Sequence, residues 1–252
     1  MSAGWDVGTY DGRFSFVTAL GAQLLDLLDA RPGDRVLDLG CGTGHQAAEL
    51  ADRGCVVTGL DADSAMVARA RGTYPEVEFM LGDAQLLLPG GPYDRVLSNA
   101  ALHWMPDADA VCRNVRGALK PGGPFVAELG GAGNVAALHA SIRAARADLG
   151  LPDVSNHWYF PTPGAHATRL EAAGFTVRMI EQYERPTPLA AGDTAADWAR
   201  MFGQALIVDV PDAERAEFDA AVDAHAVEAG LRGPGDAWTA DYVRLRFIAV
   251  AA

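Results

Sequence analysis

The chain has 252 residues, half of them hydrophobic, enough for one large α/β domain or for a core with a modest second unit. Acids outnumber Lys and Arg by 33 to 20, the formal net charge is −13, and Lys120 is the single lysine. With no Lys/Arg run to neutralise phosphates, nucleic acid is excluded as the expected partner. No apolar run is long enough to span a bilayer, so no membrane association is expected either.

Residues 16–29 place Val17, Leu20, Leu24 and Leu27 on one face of a predicted helix. Arg31-Pro32-Gly33-Asp34 turns into a first predicted strand over residues 36–39. Glycines at 40, 42 and 44 follow, and residues 45–53 read as a helix closed by Gly54. A second strand runs from Cys55 to Leu60 and ends at Asp61, with Asp63 or Ser64 placed to cap a helix over 64–72. Val77 to Leu81 predicts a third strand, leading to Gly82-Asp83, and Tyr93 to Ser98 a fourth, ending at Asn99. An amphipathic helix over 107–119 aligns Val111, Val115 and Leu119, Lys120-Pro121-Gly122-Gly123 stops it, and Phe125 to Leu129 is a fifth strand.

The second half is less regular. A helix near 164–173, a strand at 175–183, helical pieces across 193–232 broken near Pro211, and a last strand from Tyr242 to Val250 complete the series. Strands alternating with helices at this spacing predict a doubly wound, mostly parallel seven-stranded sheet with right-handed crossovers. The expected organisation is one domain over 1–252. It comprises a helical cap about 1–30, a ligand-binding core about 31–130, and helical lid insertions about 131–165 and 190–238. Cys41, Cys55 and Cys112 show no metal-ligand spacing, so no metal is expected and the chain reads as a reduced cytoplasmic protein.

Strand, tight glycine turn and helix N-terminus together let backbone amides approach a ligand closely. A dinucleotide fingerprint wants its third glycine at position 45, where this chain has His45. In an open α/β sheet the ligand lies outside the carboxyl ends of the strands, so Asp38, Asp61, Asp83 and Asn99, after successive strands, are the candidate ligand-facing residues.

The glycine turn resembles the D-x-G-x-G-x-G turn of class I S-adenosylmethionine-dependent methyltransferases, and residues 36–44, 57–61, 79–84, 93–104 and 119–123 resemble successive motifs of that family. Ser98-Asn99-Ala100-Ala101-Leu102-His103-Trp104, with Trp5-Asp6 and Tyr10, is most similar to its trans-aconitate methyltransferase-like branch. The resemblance implies a Rossmann-like fold and S-adenosylmethionine as cofactor, with S-adenosylhomocysteine as product. It implies that Asp61 holds the ribose, and that Asp83 and Ala84 hold the adenine. Ala62 and Met66 would pack the adenosine, and Asn99 would lie near the methionine moiety. Asp38 suits the cationic amino-acid end, with the backbone of Gly40, Gly42 and Gly44 leaving room beside it.

The reaction expected is methyl transfer to a small-molecule acceptor, as O-methylation of a hydroxyl or carboxylate in secondary or small-acid metabolism. The alternative is a protein that binds the same cofactor but catalyses a cyclisation or elimination in natural-product biosynthesis. His103 is the candidate general base for a hydroxyl acceptor, while a carboxylate needs none. His157, beside Trp158, Tyr159 and Phe160, is a second possibility. Trp5, Tyr10, Trp104 and Trp158 are expected to border the acceptor. The expected partner is that small molecule alone, with the chain a monomer or homodimer.

Overall fold

The computed structural model describes residues 23–154 and 158–252. Trp5, Tyr10 and His157 lie outside the described residues, and of the predicted helix over 16–29 only residues 23–29 are described, 23–28 as helix and Asp29 as a turn.

The chain divides into two compact units. The first contains residues up to Gly131, Trp158–Gln182 and Leu245–Ala252, and the second Ala132–His157 and Tyr183–Arg244. The strands are β1 Arg35–Leu39, β2 Val56–Asp61, β3 Glu78–Leu81, β4 Arg95–Asn99, β5 Pro124–Gly130, β6 Phe175–Glu184 and β7 Val243–Ala251. They form one seven-stranded sheet in the order β3-β2-β1-β4-β5-β7-β6, and β1 to β5 run parallel. The helices are α1 His45–Asp52, α2 Ser64–Thr73, α3 Ala108–Ala118, α4 Ala136–Asp148, α5 Pro163–Ala172, α6 Ala195–Phe202, α7 Gln204–Ile207 and α8 Arg215–Glu228. None of the described helices is long and apolar enough to cross a membrane.

Period-two alternation sorts each strand onto two cores. Leu37, Leu39, Val96, Phe125, Ala127, Leu129 and Phe247 face one, with Val111 and Val115 of α3 and Leu170 of α5. Val36, Val57, Leu97 and Val126 face the other, with Leu50 of α1, Val67 of α2 and Leu24, Leu25 and Leu28. The same alternation carries Asp38, Asp61, Asn99 and Glu128 onto this second side, near the carboxyl ends of β1, β2, β4 and β5.

Helix starts follow their caps. Asp63 accepts the amides of Ala65 and Met66 at the start of α2, and Asp107 that of Ala110 at α3. In the second unit, Thr194 and Asp197 form a reciprocal capping box on α6. There α8 packs on α4, burying Phe218, Val222 and Ala226, and Arg146 is fully buried in a two-pronged pair with Asp209 at 2.7 and 2.8 Å.

Several boundaries shift from the sequence expectation. Strand β4 begins at Arg95, because Tyr93 makes only an isolated bridge to Leu119. The helical stretch over 193–232 breaks at Gly203 as well as at Pro211, and a side chain at Gly203 would meet the Ala199 carbonyl at 2.9 Å.

Candidate active site

The turn after β1 is set by two constraints. Gly40 has φ +74, and a Cβ there would lie 2.2 Å from the Cβ of Ala101, so only glycine fits where the β4 loop crosses the turn. Gly42 has φ +54, and a Cβ there would meet nothing within 4 Å. That opening is where a ligand can approach bare backbone.

Asp61 ties this turn to β2. Its Oδ2 accepts the Gly42 amide at 2.9 Å and its Oδ1 the Asp63 amide at 2.9 Å, while the Gly40 amide donates to the Leu60 carbonyl at 2.7 Å. The carboxylate is therefore held in one orientation. Burial pushes the Asp61 pKa up, against the pull of the Asp63 and Gly42 amides.

Asp38 lies one residue before the end of β1 and is 2% exposed. Its Oδ2 is buried with no hydrogen-bond partner. Burial first, and then the charge of Asp61, push its pKa up to about 7, against an opposing hydrogen bond from the Ala47 amide. A buried orphan carboxylate oxygen beside a second acid is a built receptor for a cation. The residues present thus fit a cofactor with a cationic end.

A pH dependence follows. The folded Asp38 holds its proton up to about pH 7, while the unfolded one loses it near 3.8, the ordinary value of an aspartate. The folded state therefore binds more protons in that window, and Asp38's contribution to stability, full at low pH, is lost as pH rises towards 7. A cationic ligand at this position requires the ionised form. We expect S-adenosylmethionine affinity to fall up to about tenfold per pH unit below 7, with proton release that shows in calorimetry as heats differing between buffers of unlike ionisation enthalpy. Asp38→Asn should flatten that profile, and an equally steep profile in the variant would exclude Asp38.

The remaining cofactor candidates divide. Asp83 lies two residues past β3, and its Oδ1 accepts the Gln85 amide at 2.9 Å. Ala84 is buried, and its carbonyl accepts from Asn114 Nδ2 at 2.8 Å, so Asn114 of α3 shapes this loop without having been singled out in the sequence. Met66 is buried on α2 and Ala62 is exposed. Asn99 ends β4 in register with Glu128. Glu128 is no open site residue, because it is buried in a pair with Arg246 of β7 at 2.7 Å. An arginine alternating with Leu245 and Phe247 in an apolar strand was the available signal for that pair.

His103 sits in a short 3-10 turn after β4, 8% exposed. Its Nδ1 accepts the Gly130 amide at 3.3 Å, and its carbonyl accepts the Tyr159 amide at 2.9 Å. A ring that accepts at Nδ1 in its neutral form carries its proton on Nε2. In that tautomer Nε2–H is a donor. Aromatic rings gather around it. Trp104 lies 5.4 Å and Phe160 5.8 Å from the His103 ring, and Trp158 meets Trp104 edge-on at 5.7 Å. Among the described residues no group of three or more His, Cys, Asp and Glu could hold a metal ion.

Residues 36–123 match a family profile described as "Methyltransferase domain". The chain is 32% identical to the uncharacterized methyltransferase C70.08c of Schizosaccharomyces pombe, over 97% of each chain. It is 29% identical to the trans-aconitate 2-methyltransferase of Deinococcus radiodurans, again over 97% of each. The solved YcgJ protein from Bacillus subtilis shares the fold with a TM-score of 0.63 at 19% identity, covering 93% of this chain and 98% of that one.

Proposed function

The chain belongs to the class I S-adenosylmethionine-dependent methyltransferases, and from that premise we propose that it methylates a carboxylate oxygen of a small organic acid. The observation that carries the choice of carboxylate is the His103 ring, whose Nδ1 is taken by the Gly130 amide and whose Nε2–H points to hydrogen-bond donation. A phenol or alcohol acceptor needs a base as its oxygen attacks, and a carboxylate is already ionised at neutral pH. The likeness to trans-aconitate 2-methyltransferase along the whole chain supports the same acceptor class.

In this proposal Asp61 holds the ribose, Asp83 and Ala84 the adenine edge, Asp38 the cationic amino-acid end, and Met66 and Ala62 pack the adenosine, with Asn99 beside the methionine moiety. Bound there, the cofactor supplies a methyl group activated on a sulfonium. His103 donates to the acceptor carboxylate, and Trp104 and Trp158 flank it and exclude water. Trp5 and Tyr10 belong to the same proposed surface. Orientation of this kind is worth ~7–11 kcal/mol in well-aligned intramolecular systems, so the protein need add little else. The insertions about 131–165 and 190–238 are proposed to act as the lid.

The test is incubation with S-adenosylmethionine and a panel of carboxylic acids that includes trans-aconitate, with S-adenosylhomocysteine and an alkali-labile methyl ester as the expected products. Turnover of phenols but no acid would overturn the carboxylate assignment. Acceptor conversion with no S-adenosylhomocysteine would favour cyclisation or elimination instead. His103→Ala should lower kcat/KM for the acid about 10- to 100-fold, the usual size for one hydrogen bond to a charged group. Loss of an acidic limb in the pH–rate profile of that variant would make His103 a base after all.

A further inference from the structure

The segment beginning at Trp158 carries a polar pair that the acceptor proposal does not use. The Tyr159 hydroxyl and His166 Nδ1 lie 2.9 Å apart. His166, on α5, is 2% exposed and packs against the Phe247 ring at 4.8 Å. Its other nitrogen, Nε2, is buried with no hydrogen-bond partner. An orphaned buried nitrogen in an apolar setting calls for a reason, since an apolar residue of similar volume would satisfy packing alone. Burial first, and then the Arg169 charge, push the His166 pKa down to about 4, and burial pushes that of Tyr159 up to about 12, so the pair is neutral across the physiological range.

Chain geometry links this pair to the candidate site. The Tyr159 amide donates to the His103 carbonyl at 2.9 Å. On either side of it, Trp158 and Phe160 stack on each other at 5.5 Å and reach Trp104 and His103 respectively. Tyr159 itself reaches His166, and Arg169 of α5 lies 5.7 Å over its ring while pairing with Asp109 of α3. One residue is thus anchored on α5 while its two neighbours meet the 3-10 turn.

We propose that Tyr159 and His166 are positioning residues that fix the register of Trp158 and Phe160 against His103 and Trp104, and so set the aromatic side of the acceptor site. The second half of that statement rests on the acceptor reading above, whereas the register itself does not. The hydroxyl–imidazole contact is directional. It holds the segment in one place where a greasy contact would let it slide.

Fluorine NMR of the full chain labelled with 5-fluorotryptophan, with S-adenosylhomocysteine bound, reads the register directly. The lines are assigned with single Trp→Phe variants. Tyr159→Phe should shift or broaden the Trp104 and Trp158 resonances and leave those of Trp198 and Trp238 in place. It should raise KM for trans-aconitate roughly two- to tenfold, the scale of one neutral hydrogen bond, with kcat and S-adenosylhomocysteine affinity little changed. Unmoved Trp104 and Trp158 lines in folded Tyr159→Phe would overturn the proposal, as would a shift of all lines together with loss of cofactor-product binding. Should Tyr159→Phe fail to fold, His166→Asn, which keeps a polar group near the Nδ1 position, is compared with His166→Leu. Wild-type-like lines in the first and displaced lines in the second support the pair, and identical lines in both overturn it. Failure of the unmodified chain to turn over trans-aconitate is a failure of the acceptor reading, and the fluorine measurement stands without it.

Discussion

Asp61→Ala should weaken S-adenosylmethionine binding about 10- to 150-fold, which corresponds to ~1.5–3 kcal/mol for hydrogen bonds to a charged group. The carboxylate is already oriented by the Gly42 and Asp63 amides, so it meets a ligand without reorganising. Removing it frees both amides and leaves the glycine turn tied to β2 only by the Gly40 and Cys41 amides on the Leu60 carbonyl. It also removes the charge that helps push the Asp38 pKa up, so the pH profile of cofactor binding should move to lower pH in this variant. Asp61→Asn, which retains one acceptor oxygen, should fall between. Titration calorimetry checks all three statements. Unchanged affinity in a folded Asp61→Ala protein would remove the ribose role.

Gly40→Ala should destabilise the fold by about 2–5 kcal/mol, from a left-handed backbone imposed on an L-residue and from overpacking. The added Cβ would stand 2.2 Å from the Ala101 Cβ and 3.6 Å from the Ala101 Cα, so relief requires the β4 loop to move, and with it His103. A drop of roughly 5–15 °C in Tm is expected for a chain of this size. Gly42→Ala is the contrasting case. Its Cβ meets no protein atom within 4 Å, so its cost should be the backbone term alone, while its methyl group enters the opening assigned to the cofactor. Thermal melts and S-adenosylhomocysteine titrations of the two variants should therefore rank in opposite orders. Equal rankings would mean that the turn is a structural hinge with no cradle.

The strand-end acids and turn glycines of the candidate cofactor site were legible because their determinants are local. Asp38 and Asp61 are read from apolar runs that end in an acid, and the glycines at 40, 42 and 44 from their spacing, each set by backbone geometry within one strand–turn–helix. What escaped is whatever depends on distant pairing. Ala101 as the reason for Gly40, the Gly130 amide on His103, Asn114 under Ala84 and Arg246 against Glu128 all join residues that sequence patterning treats separately. The tautomer of a neutral His103 turns on such a contact, because one backbone amide determines which ring nitrogen holds the proton. Glu128 shows the same limit: a strand-end acid looks alike in sequence whether it faces a ligand or a buried guanidinium. Strand types survived because alternation is robust, whereas the ends of β3 and β4 moved by one or two residues where turns and isolated bridges compete.

The strand order carries a consequence for synthesis. Strand β7 comes last along the chain yet lies between β5 and β6 in the sheet. As the polypeptide leaves the ribosome, β1 to β5 can pair with one another, but the outer edge of β5 stays open until residues 245–252 emerge. That edge is apolar on both faces, with Val126, Ala127 and Leu129 fully buried in the finished fold, and Glu128 waits beside it for the guanidinium of Arg246. An open apolar edge is a template for pairing with other chains. A nascent chain whose β7 has not yet emerged would thus hold an adhesive intermediate, and chaperone capture should end abruptly when β7 slots in.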